Sequence, residues 1–401
     1  MTASSFFTPW RLTWYPRIIL FAVLAGILIG ALTGDGPETL TGRLGGDFPA
    51  FYAAGRTVAR GEFRSLYDYV HQQDMQKDLF PASNYRQTMP FPYPPFVALA
   101  YYPMVLLNYR ISFLAHTLLM VLAIGVAAWL LARRVPFLQE YFTLFVVVML
   151  LYYPMLRSAI GGQNTPITFL LFVAVWYAGS SHKEWLAGVF LGLMLFKPQF
   201  GIPLIGLHLL AGRWRSVITG SLVGVALYAV TTHLFGPSWV KEWIHYASWV
   251  STIAAAIDGP NSVCWLGFFQ SILGVQSRFA LLAGWSFAAA TILAISLVWL
   301  RARNKTDLSV EFSLAAVALV LMQPHAMYYD MALVLFTFAI QMLNDPTKMK
   351  VLILMWILAI SQVTARLLGF SPLFVLLLCS CCLGIALLRE ESRSAPYNRQ
   401  W

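Results

Sequence analysis

Charged residues are scarce in this 401-residue sequence, where Asp, Glu, Lys and Arg make up 11% against 59% hydrophobic residues. A soluble chain of this length needs more polar surface, so the composition excludes a soluble protein. Mean hydropathy is +0.67, and apolar runs recur along nearly the whole length. A run of ~20 apolar residues crosses a bilayer, and lipid forces it to be helical. The sequence therefore predicts an all-α polytopic membrane protein with one domain, residues 1–401.

Patterns for disulfides, metals and nucleotide phosphates are also missing. The cysteines have no paired spacing, and Cys379, Cys381 and Cys382 lie inside one apolar run, so we expect inert thiols. No His, Asp and Glu cluster has metal-ligand spacing, and no Walker, GxGxxG or GxSxG pattern occurs. We predict no metal and no cofactor. The net charge of +10 indicates anchoring to anionic headgroups rather than nucleic-acid binding.

The predicted topology begins with a first span, Leu12–Leu32, and two arginines at its N-terminal end, Arg11 and Arg17, place its start in the cytoplasm. No small-x-small cleavage site follows, so we expect an uncleaved span. Residues 34–95 then form a long extracytoplasmic loop. Its amphipathic stretches, Pro49–Ala59 and Leu66–Leu79, are expected to lie along the membrane interface.

About twelve spans are predicted in total, provided that Phe96–Leu107 enters the membrane only partly. Basic clusters then fall on one side, with a cytoplasmic tail at residues 389–401. These clusters are Arg133, Arg134, His182, Lys183, Arg213, Arg215, Arg301–Lys305, Lys348, Lys350 and Arg389. Polar motifs beside helix ends all fall on the opposite, extracytoplasmic face.

The long loop is where acidic residues gather, with seven of the seventeen carboxylates between Asp35 and Asp78. Asp47 precedes Pro49 and a predicted helix, so helix capping alone explains an Asp there. The preceding Gly45-Gly46 lets the backbone approach a ligand, which a cap does not require. Both interpretations stay open: a structural cap, or a catalytic carboxylate at the membrane surface.

Three further polar motifs carry the same choice between structure and chemistry. Lys197 either extends to the interface or supplies a charge for a phosphate. Gln163 and Asn164 either begin a helix or bond sugar hydroxyls. His325, which precedes Tyr329 and Asp330, is either a neutral structural group or a phosphate contact.

Taken together, these motifs resemble glycosyltransferase family 87, a family of GT-C membrane enzymes that includes polyprenol-phosphate-mannose-dependent α-1,2-mannosyltransferases. Each motif is weak alone, whereas their order over roughly residues 15–345 is more specific. The motifs are Gly46–Gly55, Leu66–Asp68, Phe91–Pro95, Gly162–Asn164, Lys197-Pro198 and Pro324–Asp330.

The resemblance implies a GT-C-type bundle with the active site on the extracytoplasmic face of a bacterial plasma membrane and both termini cytoplasmic. It implies transfer of a hexose, mannose by expectation, from a polyprenyl-phosphate sugar to a lipid or glycan acceptor with inversion. Asp47 matches the general base of GT-C enzymes. The implied phosphate-binding residues are Lys197 and His325, and the implied substrate contacts are Gln163, Asn164, Tyr52, Arg56, Tyr329 and Asp330.

The alternative from another class is a transporter or flippase of lipid-linked sugars, which would use a similar cavity. Many transporters are built from two halves with matched broken helices. No second copy of the Gly-Asp-Phe or Gly-Gln-Asn pattern occurs. The sequence therefore favours an enzyme.

Overall fold

The computed structural model describes residues 8–33, 45–77, 79, 88–303, 305–344 and 346–394. Regular structure in these ranges is helical apart from an isolated bridge between Ser262 and Met327, which confirms the all-α prediction. The α-helices are α1 Pro9–Thr33, α2 Phe48–Ala59, α3 Tyr69–Lys77, α4 Pro95–Tyr101, α5 Tyr109–Ala132, α6 Pro136–Glu140, α7 Phe142–Leu151, α8 Tyr153–Ile160, α9 Thr165–Ser180, α10 Glu184–Leu193, α11 Pro198–Leu210, α12 Trp214–Phe235, α13 Trp239–Asp258, α14 Trp265–Leu273, α15 Arg278–Arg301, α16 Ser309–Leu321, α17 Val334–Asn344, α18 Met349–Leu358, α19 Ala365–Leu368 and α20 Pro372–Ser394. Short 3₁₀ segments include Tyr102–Leu106, Met194–Phe196, Ala359–Thr364 and Tyr328–Leu333.

Helix length divides the apolar helices into two sets. Six helices within the described ranges are long and apolar enough to cross a membrane. This count takes Met349–Leu368 as one helix and ends the last helix at Arg389. The bent pair α7–α8 is a seventh if the two helices are taken as one span. Six other apolar helices have only 10–17 residues. The membrane character of the chain is thus supported by its helices, whereas the predicted number of about twelve full spans is not reached on length.

Short helices form the centre of the bundle. All residues of α16 are buried, and most residues of α9 are buried, because a helix that is apolar on every side is stable only when surrounded. The long helices α1 and α12 have only 11% of their most apolar window buried. Their exposed apolar surfaces are suited to lipid contact, and the polar motifs begin or end the buried helices.

Two stretches of the predicted loop depart from a simple interfacial arrangement. The stretch Pro49–Ala59 is helical, as expected, but most residues of α2 are buried. Gly55 lies against the Tyr101 backbone, where an added Cβ would stand 2.8 Å from the carbonyl oxygen. The segment Phe96–Leu107, expected to be a partial span, consists of the short α4 and a 3₁₀ turn. It packs over α2 and covers it.

A long amphipathic helix, α13, lies where the Trp-rich sequence Gly236–Asp258 predicts an amphipathic loop. Its Trp243 indole donates to the Pro92 carbonyl at 3.0 Å, and its Tyr246 hydroxyl donates to Gln72 Oε1 at 2.7 Å. Burial raises the pKa of Tyr246 above its ordinary value, so this hydroxyl keeps its proton. These bonds attach α13 to the first loop and to the Phe91–Pro95 motif.

A bend of 74° separates α7 from α8, where the apolar run Tyr141–Leu156 by itself predicts a span. Pro154 lies in the first turn of α8, after Tyr152, whose φ and ψ of −59° and 121° are not helical. In a continuous helix the Pro154 ring would meet the Leu150 carbonyl and could not donate a hydrogen bond to it, so the helix breaks before Pro154. The bend redirects the chain into Gly161-Gly162 instead of straight across a membrane. That change of direction brings Gly161 and Gln163 beside Asp47.

Candidate active site

At the centre of the site the backbone of Gly45-Gly46 packs directly against that of Gly161-Gly162, a contact called the glycine crossing below. The Asp47 backbone N–H donates to the Gly161 carbonyl at 2.9 Å. Gly46 and Gly162 have φ values of +53° and +70°, in the left-handed region that glycine adopts without strain. A Cβ on Gly46 would stand 2.4 Å from the Gly161 oxygen. The glycines are therefore needed for this crossing, which brings Asp47 beside Gln163.

Gly162→Ala is expected to disrupt the crossing. The new Cβ would lie 2.1 Å from the Gly45 carbonyl oxygen and 2.6 Å from Phe48 Cβ, at a backbone φ of +70°. Overpacking of this kind costs about 1–3 kcal/mol, so the thermal unfolding temperature should fall. Gly179→Ala in α9 is the control, because its Cβ meets nothing within 4 Å. Equal unfolding temperatures for the two variants would contradict the tight crossing.

The side chain of Asp47 faces the next motif rather than its own helix. Asp47 occupies the N-cap position of α2 but makes no side-chain cap hydrogen bond. Instead, Gln163 Nε2 donates to Asp47 Oδ2. Asp47 therefore has the position of a helix cap but not its side-chain hydrogen bond. Its carboxylate is oriented by Gln163, from the other side of the glycine crossing.

Tyr93 joins both amides of the Gln163-Asn164 motif. Its hydroxyl lies 3.4 Å from Gln163 Oε1 and 3.3 Å from Asn164 Oδ1. Burial raises the pKa of Tyr93 well above its ordinary value, and the nearby Asp330 carboxylate adds to that effect. Tyr93 therefore remains a proton donor. Asn164 is 1% exposed, and its Nδ2 has no hydrogen-bond partner among the described residues, so a donor is available there.

Lys197 is held by a buried counter-ion. Its Nζ lies 3.3 Å from Asp330 Oδ1 and 3.2 Å from Thr165 Oγ1. Lys197 and Asp330 are 3% and 6% exposed, and the Met327 N–H donates to the other Asp330 oxygen at 3.1 Å. Lys197 is too deeply buried for the alternative in which its side chain extends to the membrane interface. Lys197 lies inside the protein, next to a carboxylate that sequence reasoning placed among the substrate contacts.

His325 and Tyr329 lie around this ion pair. The Tyr329 ring centroid is 5.9 Å from Lys197 Nζ, which is within cation–π range. Burial lowers the pKa of His325, with the Asp330 and Asp258 carboxylates opposing the change. The lowered pKa favours a neutral imidazole at neutral pH. His325 thus lies near Asp330 as a neutral imidazole, which agrees with the structural alternative for this residue.

Tyr52 and Arg56 are oriented toward the loop packing. The Tyr52 hydroxyl donates to the Leu107 carbonyl at 2.9 Å, and Arg56 Nη1 donates to the Met75 carbonyl at 2.8 Å. Both bonds attach α2 to neighbouring segments. Their expected role in substrate contact gains no support from these bonds and stays a prediction.

Sequence reasoning missed Arg157 as a site residue. Arg157 lies on α8, beside the Tyr328 hydroxyl and within electrostatic range of Asp47. A signal was present, since Arg157 is the only Asp, Glu, Lys or Arg between Glu140 and Lys183. An isolated ionisable residue in an apolar run is a functional hypothesis by default. Thr165 was also missed, and its position after Gln163-Asn164 was the available signal.

Comparison with known proteins gives one family and one curated relative. Residues 91–324 match glycosyltransferase family 87, a range that includes Tyr93, Arg157 and Lys197 but not Asp47. Over 253 residues the chain is 28% identical to a polyprenol-phosphate-mannose-dependent alpha-(1-2)-phosphatidylinositol pentamannoside mannosyltransferase of Mycolicibacterium smegmatis. The alignment covers 59% of this chain and 54% of the relative, so the chain spans about half the length of that protein. No solved structure matches.

Proposed function

The chain belongs to glycosyltransferase family 87, and on that premise we propose that it is a membrane glycosyltransferase. In this proposal it transfers a hexose, mannose by preference, from a polyprenyl-phosphate sugar to a lipid or glycan acceptor. The donor class and the sugar are suggested by the name of the curated relative. The reaction is placed on the extracytoplasmic face of a bacterial plasma membrane, where a donor must already be carried by lipid.

The observation that supports this proposal most directly is a line of three consecutive residues. Gln163 bonds the Asp47 carboxylate, Asn164 accepts from Tyr93, and Thr165 contacts Lys197 and Asp330. The chain thus joins a candidate base to a buried ion pair within one short segment. Carboxylate, amides, phenol and cation are the groups that acceptor deprotonation and sugar binding require.

Asp47 is assigned as the general base. Its carboxylate would take the proton from the acceptor hydroxyl while that oxygen attacks the anomeric carbon. The bond from the anomeric carbon to the phosphate oxygen breaks, and its electron pair leaves with the polyprenyl phosphate. A single displacement inverts the anomeric centre, so a β-linked donor gives an α-linked product. Gln163 would hold one carboxylate oxygen still, which keeps the base aligned.

The test of the function uses the purified chain in nanodiscs containing total membrane lipids. Polyprenyl-phosphate mannose, glucose and arabinose are supplied separately, and products are identified by mass spectrometry. A new mannosylated lipid is the expected result. Absence of any glycosylated product with all three donors contradicts the proposal. Movement of the donor across the bilayer of sealed proteoliposomes, without a new product, would support the transporter alternative.

A further inference from the structure

The cationic side chain at Asp47 was not among those expected to bind phosphate. Arg157 follows the bend between α7 and α8, and the bend carries it toward the glycine crossing. Its guanidinium lies beside the Tyr328 hydroxyl and within electrostatic range of the Asp47 carboxylate. Tyr328 in turn lies near Tyr153, at 6.0 Å between ring centroids. These aromatic rings place the guanidinium at the site.

Arg157 and Lys197 differ in what neutralises their charge. Lys197 is 3% exposed and lies 3.3 Å from Asp330 Oδ1. A phosphate that bound Lys197 would have to compete with a carboxylate already in place. Arg157 is only half-buried, with the Tyr328 hydroxyl beside it and Asp47 within electrostatic range. Its Nε is a buried donor with no hydrogen-bond partner in the described part of the chain. Arg157 is therefore the better placed cation for an incoming anion.

The chemistry of the proposed donor requires a cation near the base. A polyprenyl-phosphate sugar is a phosphodiester with a single negative charge. When the glycosidic bond breaks, the electron pair stays on the phosphate oxygen, and a phosphomonoester of about −1.5 to −2 charge leaves. A group that binds the leaving phosphate more tightly than the intact donor lowers the barrier. Guanidinium suits this role because its planar N–H groups bind two phosphate oxygens at once.

We propose that Arg157 binds the phosphate of the lipid-linked donor and holds the sugar beside Asp47. The assignment rests on the proposed function and deepens it, because it names the residue that recognises the leaving group. Lys197 and Asp330 then neutralise each other, and both hydrogen-bond Thr165. The acceptor proton goes to Asp47, and the growing phosphate charge is met by Arg157. Acceptor and leaving group are served by two neighbouring side chains of opposite charge.

The test compares Arg157→Gln and Arg157→Lys with Arg134→Gln. Arg134 is an exposed arginine beyond α5 that donates to the Ser180 carbonyl at 2.9 Å, so its loss should leave transfer unchanged. Arg157→Gln should lower kcat by about 10²–10³-fold, as removal of one transition-state donor does elsewhere. Arg157→Lys keeps the charge without the planar fork and should lose less. Thermal unfolding of each variant checks that the fold is kept.

A binding measurement separates this assignment from the proposed function. The affinities for polyprenyl phosphate and for polyprenyl-phosphate mannose are measured in nanodiscs without acceptor. Arg157→Gln should weaken binding of the phosphate product more than binding of the donor, which a purely structural role would not do. Unchanged product affinity in a folded Arg157→Gln or Arg157→Lys variant overturns the assignment. A wild-type chain that binds polyprenyl phosphate through Arg157 but transfers no sugar overturns the function and leaves the assignment standing.

Discussion

Asp47→Asn is expected to lower the rate of sugar transfer by about 10²–10⁴-fold, the usual contribution of a general base. The amide has nearly the shape of the carboxylate but cannot take the acceptor proton. Donor binding should change little, since the donor phosphate is not assigned to Asp47. The measurement is kcat and donor KM in nanodiscs, with folding checked by thermal unfolding.

The matched control for Asp47→Asn is Asp68→Asn on the same loop. Asp68 is exposed, and its Oδ1 accepts from the Val70 N–H at 2.8 Å. Asn is as good a helix cap as Asp, so this variant should transfer sugar at the normal rate. An Asp47→Asn enzyme that keeps wild-type kcat would refute Asp47 as the base. Equal losses of transfer rate in the two variants would mean that the effect is common to carboxylates of this loop and does not identify Asp47 as the base.

Lys197→Met and Asp330→Asn should each destabilise the protein strongly. Both residues are nearly fully buried, at 3% and 6% exposed, and their charged atoms are 3.3 Å apart. Removing one partner leaves the other charge buried and uncompensated, which costs about 3–5 kcal/mol. The double variant leaves no unpaired charge, so most of the stability should return. Thermal unfolding of the four proteins in nanodiscs gives the coupling.

An exposed ion pair of similar length serves as the comparison. Arg366 Nη2 lies 3.4 Å from Asp258 Oδ1, with side chains 75% and 37% exposed. Pairs of this kind contribute about 0–1 kcal/mol, so single variants there should be close to wild type. If the Lys197 and Asp330 losses simply add in the double variant, the pair is not the stabilising unit. Transfer by the stable double variant also decides whether Lys197 is needed for phosphate binding.

The helical elements could be predicted largely from local sequence. The apolar runs Leu12–Leu32 and Ile111–Leu131 appear as α1 and α5 with small changes at their ends. The bend at Tyr152 was not predicted, because mean hydropathy over an apolar run does not register how a single proline, Pro154, interrupts a helix. Likewise α13 was missed, since its alternating Trp and charged residues resemble a polar loop more than a span.

The sequence singled out the polar residues of the candidate site but not the contacts between them. Asp47, Gln163, Asn164, Lys197 and Asp330 were all singled out as unusual polar residues in an apolar chain. Their contacts depend on packing between segments that are distant in sequence. Gln163 reaches Asp47 across 116 residues, and Lys197 reaches Asp330 across 133. No local pattern encodes such distances.

The sequence by itself determined that this is an all-α membrane protein of a glycosyltransferase family, because hydropathy and motif order are properties of single stretches of chain. It also singled out Asp47 as either a helix cap or a catalytic carboxylate, and the family resemblance favoured the second. Only the tertiary structure decided that Asp47 is held by Gln163, that Lys197 is paired with Asp330, and that Arg157 lies within electrostatic range of Asp47. The contact between Asp47 and Gln163 follows from the bend before α8 and the glycine crossing, and all three outcomes depend on close packing of segments that are distant in sequence.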